Sequence, residues 1–556
     1  MRADTPPPSL NSHPPPAAQS NLWLAGRRLA VIDVGSNSLR LLAVELLSER
    51  SWTTLAQDRA MTRLAHTLAQ TGALCTEAMA TSVEAIARFK ETADALGIQT
   101  LRAFATAAVR EASNGPDFAA LVRDRTGITL EIVSALDEGK LTYRSAARVH
   151  DLSAPSAAVV DIGGGSMEVV FSLHGIITEN TSMPLGAVRL TESFGGPDAA
   201  AGARHKEMRR WIDDTIAAHV RPHETSPAIL VGCGGAFTTL LTLAAAHRGH
   251  VVSRNAPNLA TLGPVSAETL KTIVKELRAL PLEQRLRLPG LPSDRADIAV
   301  AGLTAIERLV KHLGVAQVHV HPGGFREGLL LRMIDEEVAA RTREDAPARE
   351  PDLVAAARDF ARRCRYDQPH SEHVAMLATR LYDQFREQPG RALRVGSFPN
   401  ERAILQAAAI LHDVGTMVEY RRHHRHSQTI VRHADLPHWP PHHLELVALI
   451  ARYHRRAVPS ADHKDFAALP RKEQDLVLRL SAILRTADGL DRSHTQVVRD
   501  ARVRFGKKQL RLELDTTGDA ALDARAAAKK SDLLRSVLDR PIDVALPTPS
   551  DTPLHG

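Results

Sequence analysis

Two short stretches combine apolar runs with an acidic residue, glycines and hydroxyls. In Val159–Val170, apolar residues flank Asp161, a run of three glycines and Ser166, and this pattern predicts two strands joined by a tight turn. Residues 30–42 repeat the pattern around Asp33. Either stretch alone is also typical of an ordinary glycine-rich hairpin. Together they predict two turns whose backbone N–H groups bind phosphate from opposite walls of a cleft.

Strand and helix patterns alternate through the rest of this region. Helical spacing of apolar residues covers 77–96 and 205–219, and 317–320 reads as a short strand. Such alternation favours α/β layers. The repeated order of strand, glycine turn and helix predicts two similar lobes, at 26–152 and 153–340.

The pattern changes after residue 340. Residues 341–352 are polar, contain two prolines and are predicted to form a linker. Long amphipathic helices then fill 353–546, with a β-hairpin near 501–515. Residues 1–25 and 547–556 are predicted to be disordered tails.

Composition narrows the classes of function. A chain of 556 residues is too long for one core, and 44% hydrophobic with 24% charged residues is typical of soluble globular proteins. Aromatic residues make up 4%, which disfavours stacking on nucleic acid, while a net charge of +6 suits some polyanion. The three cysteines form no CxxC pair, and no apolar run reaches the ~18 residues that span a membrane, so we expect a cytoplasmic location.

Several charged residues could carry phosphate chemistry in the cleft. Asp33 and Asp161 can flank Mg²⁺, which prefers oxygen ligands. Glu138 lies between the two lobes in sequence and can act as a general base toward water. Arginines can bind phosphate oxygens, although a solvated surface charge is the ordinary role of each. The candidates are Arg40, Arg110 and Arg326.

These motifs resemble the exopolyphosphatase/guanosine-pentaphosphate phosphohydrolase family, which belongs to the superfamily of acetate and sugar kinases, actin and heat-shock ATPases. The matching stretches follow the family's order over about 30–330. They are Val31-Ile-Asp33-Val-Gly35-Ser36-Asn37-Ser38, Ala105–Asn114, Asp137-Glu138, Val160–Glu168, Leu185–Val188, Gly232–Gly235 and Arg326–Leu330. The resemblance implies two ribonuclease-H-like lobes, and a homodimer.

The resemblance also implies an activity, that of a magnesium-dependent phosphoric anhydride hydrolase. It would release orthophosphate from the ends of inorganic polyphosphate, or hydrolyse guanosine pentaphosphate in the same cleft. Glu138 would be the general base, with Asp161 and Glu168 catalytic beside the metal and Asp33 a further metal ligand. The substrate-binding residues would be Gly35, Ser36, Asn37, Ser38, Arg110, Gly163, Gly164, Gly165, Ser166, Gly234, Gly235 and Arg326. One residue departs from the family pattern, because Ala135 replaces a turn glycine close to Glu138.

The helical part has its own candidate chemistry. His373, His412-Asp413 and Asp488 follow the order of the HD metal-dependent phosphohydrolase superfamily. Two imidazoles and two carboxylates suit a second divalent metal, and His426 and His454 could extend the site. The alternative is a domain of HD ancestry without a complete metal set, which helps to bind polymer and to form a dimer. Because the chain has 26 histidines, a chance match to this order of residues is a further alternative.

Two readings from other classes remain open at this stage. A non-catalytic polyphosphate or nucleotide sensor would not need Glu138 and Asp161, which are both present. A kinase of the same superfold would need an acceptor pocket, for which the sequence shows no motif. The scarcity of aromatic residues favours polyphosphate over guanosine pentaphosphate.

Overall fold

The computed structural model describes residues 22–49, 51–221, 226–250, 262–345, 353–387, 393, 395–436, 439–506 and 508–546. The chain divides into two compact units. Unit 1 falls within Met1–Asp151, Val159–Val169 and Thr181–Thr342, and unit 2 within Leu152–Ala158, Val170–Asn180 and Arg343–Gly556. Short stretches from the middle of the chain therefore group with the C-terminal part.

Strands in the described residues form three sheets. The strands are β1 Arg28–Val34, β2 Ser38–Ser48, β3 Ser51–Met61, β4 Thr100–Ala105, β5 Leu130–Ile132, β6 Ala157–Ile162, β7 Met167–Leu173, β8 Ile176–Met183, β9 Ile229–Cys233, β10 Val265–Ser266, β11 Gln317–Val320, β12 Val498–Phe505, β13 Leu510–Thr516 and β14 Ile542–Ala545. The sheet orders are β3-β2-β1-β4-β5, β10-β11-β9-β6-β7-β8 and β12-β13-β14.

Helices connect and cover these strands. The helices of unit 1 are α1 Leu68–Thr71, α2 Thr76–Ala95, α3 Ala107–Glu111, α4 Gly115–Thr126, α5 Ala135–Ala146, α6 Ala187–Ser193, α7 Pro197–Ala201, α8 His205–His219, α9 Gly234–His247, α10 Ala267–Ala279, α11 Leu282–Arg285, α12 Ala299–Leu313 and α13 Phe325–Asp345. The helices of unit 2 are α14 Leu353–Arg363, α15 Gln368–Arg386, α16 Glu401–Leu411, α17 His423–Arg432, α18 Pro441–Arg452, α19 Lys464–Ala467, α20 Arg471–Gly489, α21 Ala521–Lys530 and α22 Asp532–Leu538. In the part of the chain that the structure describes, no helix is long and apolar enough to cross a bilayer.

The first sheet shows why acidic residues fall at the ends of strands. Residues 29–32 of β1 are all fully buried, as expected for a central strand that is covered on both faces. β1 runs parallel to β4, with Asp33 opposite Phe104. The C-terminal ends of the two strands therefore meet at one edge of the sheet, which is where ligands bind in open α/β sheets.

Unit 2 is built around an inner helix. Every residue of α20 from Leu480 to Gly489 is buried, so this helix has no solvent face along its second half. The second half of α16, from Ala407 to Leu411, is also fully buried. Side chains at the ends of these helices consequently lie inside the unit.

Three predicted segments differ from the structure: the linker, the N-terminal tail and the C-terminal hairpin. Helix α13 extends through Asp345, into the predicted linker, because residues 341–345 contain neither proline nor glycine; residues 346–352 lie outside the described residues. The predicted N-terminal tail is shorter, because Leu22–Leu24 form a 3₁₀ turn and Leu24 packs into a buried cluster. Residues 1–21 and 547–556, the rest of the predicted tails, also lie outside the described residues. The hairpin of β12 and β13 gains β14 as a parallel third strand, which is too short to show an alternating pattern.

Candidate active site

Four carboxylates of unit 1 influence one another: Asp33, Glu138, Asp161 and Glu168. Asp33 is the penultimate residue of β1, and Glu138 lies in the first turn of α5. Asp161 is on β6 and Glu168 on β7. The negative charges of Glu168, Asp161 and Asp33 all act on Glu138. The structure thus brings together the acidic residues that the sequence singled out.

Burial and mutual repulsion raise the pKa values of these carboxyl groups. Burial, reinforced by Glu168, raises the pKa of Glu138 well above its usual value, against the opposing effect of Arg110. Burial raises the pKa of Asp161 to about 6. Burial and the charge of Asp161 raise the pKa of Glu168 to about 7. Crowded acids of this kind favour a bound cation or a proton.

Glu138 is held by a regular helix start despite the substitution at Ala135. The Ser134 side chain accepts a hydrogen bond from the backbone N–H of Asp137 at 3.1 Å and caps α5. Arg110 Nη1 lies 3.4 Å from Glu138 Oε2 and donates to the Val133 carbonyl at 2.7 Å. The general-base candidate and the phosphate-binding candidate are therefore neighbours.

Two hydroxyl groups that sequence reasoning missed orient the acids. Thr142 Oγ1 donates to Asp161 Oδ2 at 3.1 Å, and Ser182 Oγ donates to Glu168 Oε1 at 2.8 Å. Thr142 lies four residues after Glu138, so helical spacing places it on the same face of α5 and could have found it. No motif marks Ser182.

The two glycine turns pack against each other. A Cβ added at Gly164 would lie 2.9 Å from Ser36 Cβ, and one added at Gly165 would lie 3.0 Å from Ser36 Oγ. Ser36, like Ser38 and Ser166, is buried. The side-chain nitrogen of Asn37 is buried and lacks a hydrogen-bond partner among the described residues, so it is a free donor for an anion.

Helix α6 fixes the second turn from behind. The N–H groups of Ala187 and Val188 donate to the carbonyls of Gly163 and Gly164, both at 3.0 Å. Arg189 Nε donates to the Gly165 carbonyl at 2.8 Å. The carbonyls of the turn are thereby engaged by α6.

The remaining predicted residues lie near the carboxylates with different roles. Gly234 has a φ of +84°, and a Cβ there would lie 2.4 Å from Asp161 Oδ1, so glycine is required. Gly235 packs directly under the guanidinium of Arg295. The positive charges of Arg40 and Arg326 lower the pKa of Asp33, although its burial dominates and the net shift is upward.

Glu327 adds a fifth carboxylate to this region. It accepts a hydrogen bond from Gly324 N at 2.8 Å, and its charge contributes to raising the pKa of Asp33. The sequence motif contained Glu327, but only its neighbour Arg326 was assigned a role. The place of Glu327 directly after Arg326 in that motif could have suggested a role for it.

Unit 2 contains a second cluster, and here one predicted residue is wrong. His412, Asp413 and Asp488 come together, but His373 is absent because its Nε2 bonds to the Val498 carbonyl at 2.8 Å. His370 takes its place. One helical turn separates the two positions, and about 5 Å along the axis of α15 moves a side chain from the cluster to β12.

The second cluster consists of two groups of three. They are His370 with His412 and Asp488, and Asp413 with His423 and His454, each with ligand atoms within 4.8 Å of one another. Among the described residues, the carboxylates of unit 1 do not meet this spacing. His426, which the sequence suggested as an extension, belongs to neither group.

Unit 1 combines two sheets with helices and is an α/β region. The chain belongs to the Ppx/GppA phosphatase family, whose model matches residues 21–337. The model for domain III of Ppx/GppA phosphatases matches residues 354–536. The relation of this helical part to HD-type domains stays a prediction.

Relatives support this assignment. Exopolyphosphatase 1 of Mycobacterium leprae is 30% identical over 347 residues, which cover 61% of this chain and 99% of that protein. Guanosine-5'-triphosphate,3'-diphosphate pyrophosphatase of Pseudoalteromonas translucida is 27% identical over 434 residues, covering 77% and 80%. The crystal structure of an exopolyphosphatase-like protein matches with a TM-score of 0.51 at 21% identity, covering 55% of this chain and 97% of that one, and it supports the fold alone.

Proposed function

We propose that the chain is an exopolyphosphatase that releases orthophosphate from the ends of inorganic polyphosphate. The observation that carries the proposal is the group of Asp33, Glu138, Asp161 and Glu168, beside Arg110 and the two glycine turns. The relative named exopolyphosphatase 1, which aligns over nearly its whole length, points to the same activity.

The turns and Arg110 bind the terminal phosphates. Backbone N–H groups of the turns at 35–38 and 163–166 supply donors without charge of their own. The unpaired amide nitrogen of Asn37 adds one donor. The guanidinium of Arg110 faces Glu138 and can contact both the phosphate and the attacking water.

The oxygen ligands of the cleft fit a magnesium ion. Asp33, Asp161 and Glu168 would hold it, since Mg²⁺ prefers oxygen ligands and needs only a few carboxylates beside the waters that it retains. Their raised pKa values reflect a surplus of negative charge that a cation relieves. When bound, the ion neutralises charge on the phosphate oxygens. The hydroxyls of Thr142 and Ser182 fix the carboxylate orientations.

Glu138 acts as the general base. Burial and the charge of Glu168 raise its pKa, and a more basic carboxylate accepts a proton from water more readily. A water proton passes to the Glu138 carboxylate as the water oxygen attacks the terminal phosphorus. The bond between that phosphorus and the bridging oxygen breaks, which releases orthophosphate and leaves a chain one unit shorter.

Guanosine pentaphosphate is the second candidate substrate, acted on in the same cleft. The relative named for that activity aligns over 77% of this chain and so extends into the helical part. The low aromatic content weighs toward polyphosphate. We further propose a cytoplasmic location, which the three unpaired cysteines support. We also propose that the chain forms a homodimer.

The decisive assay is phosphate release from long polyphosphate and from guanosine pentaphosphate. With Mg²⁺ present, we expect kcat/KM to be higher for polyphosphate. Glu138→Gln should lower release by about 100-fold or more, because the proton acceptor is lost. The control Glu84→Gln changes an exposed residue of α2 and should retain the rate. Release at the wild-type rate by Glu138→Gln would overturn the mechanism, and a preference for guanosine pentaphosphate would favour the second candidate.

A further inference from the structure

The histidine-rich cluster of unit 2 is centred on Asp413. Its Oδ1 lies 2.9 Å from His423 Nε2, 3.3 Å from His454 Nε2 and 3.6 Å from His412 Nε2. His412 in turn groups with His370 and Asp488. One carboxylate therefore borders both groups of three.

All four histidines direct the same nitrogen into the cluster. His412, His423 and His454 each place Nδ1 at 2.6–2.8 Å from the carbonyl oxygen three residues earlier in the chain. His370 Nδ1 lies 2.9 Å from Asp491 Oδ2. Because carbonyl and carboxylate oxygens only accept, each Nδ1 carries the proton and each Nε2 presents a lone pair. Metal-binding histidines are oriented in this way by their outer hydrogen bonds.

Two of these lone pairs face each other, and a third has no donor among the described residues. His423 Nε2 and His454 Nε2 face each other at 3.3 Å. His412 Nε2 is fully buried and has no hydrogen-bond partner within the described part of the chain. Buried acceptors without donors are costly, and a cation that accepts their electron pairs removes the cost.

The chain's own cations stand at the edges of the cluster. The Lys530 ammonium pairs with Asp488. Arg455 Nη1 lies 3.3 Å from His423 Nε2. Each group of three thus has one positively charged side chain beside a ligand atom, in the position that a bound ion would contest.

We propose that this cluster binds two divalent transition-metal ions, one in each group of three, with Asp413 between them. Four imidazole nitrogens and two carboxylates suit Mn²⁺, Fe²⁺, Co²⁺ or Zn²⁺ better than Mg²⁺. The first ion displaces Lys530 from Asp488, and the second displaces Arg455 from His423. This binding is independent of hydrolysis in unit 1.

Cobalt titration of the metal-stripped full chain tests the proposal. Excess Mg²⁺ occupies oxygen-only sites, and visible absorption reports cobalt bound to imidazole. We expect saturation at two equivalents of Co²⁺ per chain. His370→Ala and His454→Ala should each lower this to one or none. The matched control is His373→Ala, three residues from His370 on the same helix, which should still bind two.

Lys530→Met provides a gain of function that misfolding cannot imitate. Removal of the competing ammonium should tighten the binding of one cobalt ion by about tenfold. Circular dichroism checks the folding of the alanine variants. Saturation of the wild type at one equivalent, no saturable imidazole spectrum, equal losses in His373→Ala and His370→Ala, or unchanged affinity in Lys530→Met would each overturn the proposal.

Discussion

The carboxylates of unit 1 and those of unit 2 are shifted in opposite directions. In unit 1, burial together with neighbouring acids raises the pKa of Glu168 to about 7. In unit 2, burial also acts to raise the pKa of Asp413, but His412, His423 and His454 outweigh it and hold that pKa well below its usual value. Repulsion between like charges leaves the first group short of positive charge, whereas the second group already contains partners. The comparison teaches that one chain can prepare two kinds of cation site. In one the carboxylates repel each other, and in the other histidines already stabilise the carboxylate.

The two groups also differ in ligand chemistry. Unit 1 offers carboxylate oxygen atoms beside the glycine turns, which suits a hydrated ion shared with phosphate. Unit 2 offers imidazole nitrogens with fixed tautomers. We therefore expect the reaction to depend on the first group, and tight retention of transition metal to depend on the second.

The largest expected effect in unit 1 comes from Asp161→Asn. The change removes a metal-binding charge and should lower phosphate release by about 100-fold or more. Steady-state kinetics across a Mg²⁺ series measures it, and excess Mg²⁺ should restore little. Activity close to that of the wild type would show that Asp161 holds no essential ion.

Gly164→Ala should have a smaller effect. The new methyl group would crowd Ser36 and Val188, at 2.9 and 3.2 Å, and force the two turns apart. We expect about a tenfold loss of kcat/KM and destabilisation of about 1–3 kcal/mol. Gly163→Ala is the matched control, since its Cβ would come no closer than 3.8 Å to Ser166 O. Equal effects in the two variants would contradict close contact between the turns.

Thr142→Val tests the positioning of Asp161. It removes the 3.1 Å hydrogen bond to Oδ2 while keeping the shape of the side chain. Loss of one such bond corresponds to about 1 kcal/mol. We expect a rise of several-fold in the Mg²⁺ concentration needed for half-maximal rate, with a smaller change in kcat. Thr142→Ser should restore the wild-type requirement.

The pH dependence of stability gives the smallest effect. Because the folded-state pKa of Glu168 is about 7, against 4.5 for the free side chain, the folded protein binds this proton more tightly. This contribution to stability is complete below about pH 4.5 and is lost as the pH rises through 7. Without divalent ions, calorimetry should show unit 1 melting at lower temperature at pH 8 than at pH 5. Glu168→Gln should flatten that dependence, and an unchanged slope would contradict the assigned cause.

Periodicity and glycine patterns predicted much of the fold. Helix α8 and strand β11 have the predicted bounds, because their apolar spacing is regular and their ends are marked. Glycine turns beside Asp33 and Asp161 pointed to the residues that meet in unit 1. Local pattern suffices where a strand ends directly at the residue in question.

The misses have a common physical cause. The order His, His-Asp, Asp does not fix which turn of α15 faces the cluster, so His373 was chosen in place of His370. Ser182 reaches Glu168 through the pairing of β7 with the next strand, β8, and the register of that pair was not predicted. Strand β14 joins its sheet through register with β13, and its four residues carry little signal of their own. Tertiary packing decides each of these cases.

Phosphate release from polyphosphate by Glu138→Gln and His412→Ala, measured side by side, tests the central claim most directly. We expect Glu138→Gln to lose about 100-fold or more, because the base in unit 1 is gone. His412→Ala should stay within about threefold of wild type while losing imidazole-bound cobalt. Loss of release in His412→Ala with activity retained in Glu138→Gln would place the reaction in unit 2 and contradict the account.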